Sequence, residues 1–294
     1  MEVLRPATLA EALEARSARP EAFPIAGGTD VMVAVNFDRL RPEAFLDLSR
    51  LDELRGWHEE DGEVVLGAGL TFARIERELA SLPALAQAAR SVGSPQIRAR
   101  GTIGGNLATA SPAGDALPPL AAYEADVVLG SAARGERRVS LREFLLGPKR
   151  TSLEPDELVL AVRFRSPHGP GSFSKVGTRN AMVIAVASLC LQLDEDARAV
   201  RVAMGSVGPT VLRATEAEAF AARALAEAGA FDAAAAPVPA ATLREFGQLA
   251  GAAARPIDDV RGTAAYRRHA VEVLARRALS WALEGRPAGR RAAG

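Results

Sequence analysis

Arg100-Gly101-Thr102-Ile103-Gly104-Gly105-Asn106, continued by Ala108-Thr109-Ala110-Ser111-Pro112-Ala113-Gly114-Asp115, is the stretch on which the fold and the chemistry turn. A Gly-Gly pair lets the backbone enter conformations closed to other residues and removes two β-carbons. Successive amides can then face one concavity and cradle an anion. Thr102 and Asn106 add side-chain donors. Upstream, Ala26-Gly27-Gly28-Thr29-Asp30 repeats the device, with Thr29 as donor. One Gly-Gly pair is an ordinary tight turn; two, each beside a hydroxyl or amide, favour a ligand. Amide hydrogen bonds to a charged group contribute about 1.5–3 kcal/mol each, enough for two such hollows to hold a diphosphate without a lysine. Between Glu78 and Asp115 the only charged residues are Arg90, Arg98 and Arg100, a locally positive stretch that suits an anion. Asp115 either caps the helix that follows or accepts hydrogen bonds from ligand hydroxyls.

Other chemistries fail on inventory. Gly67-Ala-Gly69-Leu-Thr-Phe72 follows a strand and opens a helix, but the third glycine of a dinucleotide fingerprint is Phe72. The acidic residue expected about 20 positions on is also missing. It reads as a tight strand-to-helix turn. His58, His168 and His269 are scattered, and the single cysteine, Cys190, lies in an apolar run. Zinc-site spacing, a disulfide framework and a Cys-ligated cluster within the chain are excluded. There is no nucleophile elbow and no Walker loop. The 294 residues carry 36 Lys+Arg against 36 Asp+Glu, so the chain lacks the basic field of a nucleic-acid binder. With 48% apolar and 24% charged residues it is globular. No secretory leader and no membrane span are visible, so the expected location is cytoplasmic. Lysine occurs only at 149 and 175. Arg and Ala dominate elsewhere, so alanine is discounted as a helix signal.

Periodicity supplies the elements. Thr8-Leu-Ala-Glu11 is a capping box for a helix to about Ala18. Strands are expected at Phe23–Ala26, Ala44–Leu48, Glu63–Gly69, Val127–Gly130, Arg137–Ser140 and Leu158–Phe164, with helices from Val31, Thr71, Pro83 and Asp115. Residues 93–115 read as a long glycine-rich loop. The last third has strand-like runs at Phe173–Gly177, Met182–Leu193 and Arg198–Val207. Helices then follow at about 215–228, 242–254 and 263–284. The last of these sets Tyr266, Val273, Leu274 and Trp281 against an Arg-rich face, and Tyr123 and Trp281 read as core or interface residues. Strands followed by helices predict an α+β unit, a sheet covered by helices.

These motifs resemble the FAD-binding (medium) subunit of molybdenum hydroxylases, the family of carbon monoxide dehydrogenase and of the xanthine dehydrogenase flavin domain. Pro95-Gln-Ile-Arg98, Pro155-Asp-Glu-Leu158, Phe173-Ser-Lys175 with Arg179, Tyr266-Arg-Arg268 and Arg276-Arg-Ala-Leu279 extend the likeness over nearly the whole chain. The resemblance implies an α+β fold: a two-subdomain FAD-binding unit of the vanillyl-alcohol-oxidase (PCMH) type at 1–168, with subdomains about 1–55 and 56–168. A C-terminal α+β domain at 172–285 and a frayed tail at 286–294 complete it. It further implies that Ala26, Gly27, Gly28, Thr29 and Asp30 wrap the FAD diphosphate from one side, and Thr102, Ile103, Gly104, Gly105 and Asn106 from the other. Ser111 and Asp115 would contact the ribityl or ribose region. Leu158 would pack near the isoalloxazine or the adenine, and Lys175 would approach the flavin ring, where a cation raises the potential. No catalytic acid or base is assigned to this chain.

The implied partners are a molybdopterin-binding large subunit, a small subunit with two [2Fe-2S] clusters, and an NAD or quinone-type acceptor. With no histidine in either loop and Cys190 remote, FAD is expected to be noncovalent and this chain to carry no cluster. Two rivals stand beside that expectation: a stand-alone FAD-dependent oxidoreductase of the same fold, like the reductase of cell-wall precursor synthesis, and a non-redox nucleotide-binding scaffold.

Overall fold

The computed structural model describes residues 2–231 and 237–284; the expected tail lies outside them. The chain forms two compact units, neither continuous in sequence. The first holds residues 1–78, 92–111 and 124–166, the second 79–91, 112–123 and 167 onward.

In the first unit, strands β1 (Glu2–Leu4), β2 (Phe23–Ile25) and β3 (Ala44–Asp47) form a small parallel sheet in the order β1-β3-β2. Helix α1 (Leu9–Ala18) begins as expected: the Glu11 amide donates to Thr8 Oγ1 at 3.2 Å. The return bond goes one residue further out, from the Ala7 amide to Glu11 Oε2 at 2.7 Å. Helix α2 (Val31–Asn36) follows the first glycine segment. A larger antiparallel sheet has the order β4-β5-β10-β6-β7. Its strands are β4 (Trp57–Glu60), β5 (Glu63–Gly67), β6 (Asp126–Ser131), β7 (Gly135–Ser140) and β10 (Leu158–Arg165). The hairpin β8 (Leu145–Gly147) and β9 (Arg150–Thr151) stands apart. One apolar core joins the two sheets: Ala12, Leu46, Leu51 and Leu54 pack with Val128, Leu158 and Leu160. Helix α3 (Phe72–Glu78) leaves β5 through Gly67, where a β-carbon would overlap the Leu54 carbonyl oxygen.

In the second unit, β11 (Gly171–Val176), β12 (Ala187–Asp194), β13 (Ala199–Gly205) and β14 (Leu212–Arg213) form an antiparallel sheet in chain order. Strand alternation decides what each face meets. Leu189, Leu191 and Leu193 share a core with residues of the C-terminal helices α9 (Thr215–Glu227), α10 (Ala240–Ala253) and α11 (Ala264–Glu284). Helices α4 (Pro83–Ser91) and α7 (Leu117–Ala122), drawn from the N-terminal half, also pack on this sheet. The expected sheet covered by helices is present, but two of its helices arrive from far upstream. Tyr123 is buried, whereas Tyr266 and Trp281 are half exposed. The buried side of α11 consists of Ala270, Val271, Leu274, Ala275, Ala278, Leu279, Ala282 and the guanidinium-bearing Arg267. Of the expected apolar face, Leu274 is buried and Val273 half-buried, but Val271, Leu279 and four alanines stand where Tyr266 and Trp281 were expected. Residues 182–186 are not strand; β12 starts at Ala187.

Candidate functional site

The first glycine segment links β2 to α2 within the first unit. Gly28 has φ +74°, in the left-handed region that favours glycine. A β-carbon on Gly27 would overlap the Arg100 carbonyl oxygen and stand 2.7 Å from its carbon and 3.0 Å from Gly101 Cα. The two glycine segments thus meet backbone to backbone, which only a residue without a side chain permits. Among the described residues, no backbone or side-chain acceptor receives the amides of Gly27, Gly28, Thr29 and Asp30. Asp30 precedes α2 but makes no side-chain cap. Four consecutive half-buried or exposed donors are left for an external acceptor.

The second segment is not the loop read from the sequence. Residues 93–115 contain helix α5 (Pro95–Arg100), capped by Ser94, and helix α6 (Ile103–Thr109), capped by Thr102. Gly104 and Gly105 occupy the first turn of α6. Their amides do not form an open nest. The Ile103 amide donates to Leu70 O at 3.0 Å, Gly104 to Ala68 O at 2.8 Å and Gly105 to Thr102 Oγ1 at 3.1 Å. Gly104 is required for approach, since a β-carbon there would stand 2.6 Å from Ala68 Cβ. The division of labour is unequal: the first segment offers free donors, and the second supplies a close-packed wall.

Beside these segments, still within the first unit, lies a cavity of about 290 Å³ bordered by Ala26, Thr102, Gly104, Gly105, Ala108 and Leu158. That places it at the lower edge of the small-ligand range. Leu48, Leu54 and Val159 add apolar wall, and among the described residues its only ionisable lining residues are Arg16 and Glu21. Leu158 opens β10, fully buried, next to the register shift between Val159 and Ala161. Gly69, read from sequence as part of a simple turn, also borders the cavity. Ser111 belongs to this unit and is half-buried, and Ile103 and Asn106 lie on α6, Ile103 fully buried. Sequence reasoning missed Arg16 and Ala108. The available signal for Arg16 was its position four residues after Ala12, on the buried side of α1.

Asp115 and Lys175 belong to the second unit, and they bind each other. Lys175 Nζ lies 2.5 Å from Asp115 Oδ2 and donates to the Ser91 carbonyl at 2.9 Å. Ser91 Oγ donates to the same carboxylate oxygen at 2.9 Å. Asp115 therefore does not cap α7, whose preceding residue is Ala116 with no side-chain cap. Burial pushes the Asp115 carboxyl above its usual range, against the pull of Lys175 and Ser91. Asp115 Oδ1 is buried with no hydrogen-bond partner among the described residues. Lys175 is neither a solvated strand charge nor a free cation.

Comparison with known proteins places the chain in a family. Residues 1–166 match the FAD binding domain in molybdopterin dehydrogenase, and residues 172–282 match the CO dehydrogenase flavoprotein C-terminal domain. A putative xanthine dehydrogenase FAD-binding subunit of Escherichia coli is 30% identical over 289 residues, covering 95% of this chain and 94% of its own. The carbon monoxide dehydrogenase medium chain of Hydrogenophaga pseudoflava is 32% identical over 271 residues, with 88% of each covered. The solved carbon monoxide dehydrogenase of that organism superposes with a TM-score of 0.83 at 27% identity, over 97% of both chains. A quinoline 2-oxidoreductase chain from Pseudomonas putida shares the fold with a TM-score of 0.85 at 23% identity. The fold and the two matched domains define a flavoprotein component of an oxidoreductase. More narrowly, the chain belongs to the FAD-binding subunits of the molybdenum hydroxylase family, the xanthine and carbon monoxide dehydrogenase type.

Proposed function

We propose that this chain is the electron-relay subunit of a multi-subunit molybdenum hydroxylase, holding noncovalent FAD between a partner's iron–sulfur clusters and a terminal acceptor. The carrying observation is the run of four unclaimed amides, Gly27 to Asp30, abutting the second glycine segment and opening beside an apolar cavity. Unclaimed amides suit a diphosphate, and an apolar cavity suits an aromatic ring system.

In this proposal the amides of residues 27–30 bind the diphosphate, with the Thr29 hydroxyl beside them. Thr102, Gly104, Gly105 and Leu158 line the cavity beside them. Ile103 and Asn106 fix the wall from α6. Ser111, Asp115 and Lys175 are proposed FAD contacts on the strength of the sequence motif. Asp115 Oδ1 has acceptor capacity to spare, which suits a sugar-chain hydroxyl. Held there, FAD would supply the redox chemistry of a relay between the [2Fe-2S] clusters of a small partner subunit and an NAD or quinone-type acceptor. Substrate oxidation would then belong to a molybdopterin-bearing large subunit. Among the described residues, the cavity lining offers no histidine or cysteine, consistent with a subunit that binds and positions rather than transforms a substrate. No helix among the described residues is long and apolar enough to cross a membrane.

The test compares the purified chain with the chain co-purified in its native complex. The lone chain should bind FAD yet show no bleaching with any substrate that bleaches the flavin of the complex. Substrate-dependent bleaching in the lone chain would instead establish a self-sufficient oxidoreductase, and failure to bind flavin would leave a non-redox scaffold.

A further inference from the structure

Arg16 is one of only two buried residues of α1, at 8% exposure, and it lines the cavity of the first unit. Its Nη1 donates to the carbonyls of Pro20 and Ala22, both at 2.9 Å. The opposite edge of the guanidinium is unclaimed. Nε is buried with no acceptor, and among the described residues Nη2 has no partner within hydrogen-bonding distance. No carboxylate among them forms an ion pair with it; Asp156 and Glu21 act only through space. A guanidinium cannot shed its charge, and a buried cation is retained at a cost unless something satisfies it.

Position along the strand decides what that something is. β2 (Phe23–Ile25) separates Ala22, whose carbonyl Arg16 holds, from Gly27, and its three residues alone span roughly 10 Å at about 3.3 Å per extended residue. That is too far for the edge to share the diphosphate. It suits the group at the end of one arm. Of the two arms of FAD, the flavin must exchange electrons with groups outside this chain and so keeps an edge reachable from there. The adenosine arm has no such duty, and its base presents flat apolar faces with ring-nitrogen acceptors at the edge. Planar guanidinium groups stack on such faces and can donate a single N–H to such a nitrogen, since the amino group beside it is itself a donor.

We infer that Arg16 is a recognition residue for the adenosine arm of FAD, its guanidinium stacking on the base and one N–H of its free Nε–Nη2 edge donating to a ring nitrogen, which makes the site select FAD over FMN. This rests on the FAD reading above. Isothermal titration of the flavin-free full chain with FAD, ADP and FMN tests it. Arg16→Met should weaken FAD and ADP by at least about ten-fold, the loss of one or more charge-assisted hydrogen bonds, and leave FMN unchanged. Arg16→Lys keeps a cation for the two carbonyls but not the flat guanidinium that stacks on a base. It should show the same selective loss, smaller in size, and it covers the case in which Arg16→Met does not fold. Equal loss of FAD and FMN in a folded variant, or unchanged FAD affinity in either, overturns the assignment. Wild-type chain that binds neither FAD nor ADP would overturn the underlying FAD reading instead.

Discussion

Gly27→Ala is the most informative single change. One added carbon would meet only backbone: the Arg100 carbonyl oxygen in overlap, the Arg100 carbon at 2.7 Å and Gly101 Cα at 3.0 Å. Ordinary contact begins near 3.4 Å, so the carbonyl carbon must retreat by about 0.7 Å and its oxygen further. No side-chain rotation can absorb this. Overpacking of that kind costs about 1–3 kcal/mol, which lowers Tm by roughly 2–4 °C per kcal/mol in a chain of this size. Because the same movement pulls the two glycine segments apart, one or two amide–phosphate bonds should lengthen, and FAD affinity should fall by roughly ten- to a hundred-fold. Gly28→Ala provides the graded comparison. Its nearest neighbours are ordinary contacts at 3.5 and 3.6 Å, leaving only the left-handed backbone penalty of about 1–2 kcal/mol. Gly105→Ala adds a carbon on the first turn of α6 that meets only Thr102 Oγ1 at 3.1 Å and gains helix propensity. Flavin-to-protein absorbance ratios and thermal melts should rank damage as Gly27→Ala first, Gly28→Ala second and Gly105→Ala last. Wild-type flavin content and Tm in Gly27→Ala would refute the close-approach reasoning.

Three further outcomes follow from the same structure. The Asp115 carboxyl is raised by burial in spite of Lys175, and a raised acid withdraws stability as pH climbs through its folded pKa, because the folded state then binds more protons than the unfolded one. Lys175→Met removes the opposing cation, so its deficit in urea-melt stability should widen from about pH 4 to about pH 7, approaching the 3–5 kcal/mol of a broken buried pair, roughly. Asp115→Asn in the same chain should flatten that pH dependence, and a deficit independent of pH would argue against the pair. Cys190 is fully buried with its thiol pushed well above the usual range. It should resist a disulfide thiol reagent in the native protein and react stoichiometrically in denaturant; rapid native labelling would contradict that burial. Acid precipitation should release the flavin to the supernatant, whereas a yellow pellet would indicate a covalent link.

What could be read from sequence, and what could not, divides along physical lines. The capping box at Thr8 and Glu11 is a local device and legible; that a Gly-Gly pair frees the backbone was legible too, but only Gly28 of the four glycines uses that freedom. Legible as well were the buried strands around Val127 and Leu158, which advertise themselves by apolar runs. The short edge strands β1 and β4 were not, because Glu2–Leu4 and Trp57–Glu60 owe their state to the neighbours they pair with rather than to any pattern of their own. Helix α6 read as a loop because Gly104 and Gly105 depress helix propensity, and only the packing on Ala68 explains why Gly104 is there. Discounting alanine hid the true inner face of α11 and exposed Tyr266 and Trp281 as misleading landmarks. Arg16 went unnoticed because a charged residue on a buried helix face is meaningful only once the cavity beside it is known. Asp115 and Lys175 were picked out separately by motif and rarity; that they neutralise each other belongs to tertiary structure alone.

A crystal structure of the flavin-loaded protein bears most directly on the central claim. The amides of Gly27, Gly28, Thr29 and Asp30 should lie within hydrogen-bonding distance of the FAD diphosphate. Those amides turned to solvent, with the diphosphate bound elsewhere, would contradict it.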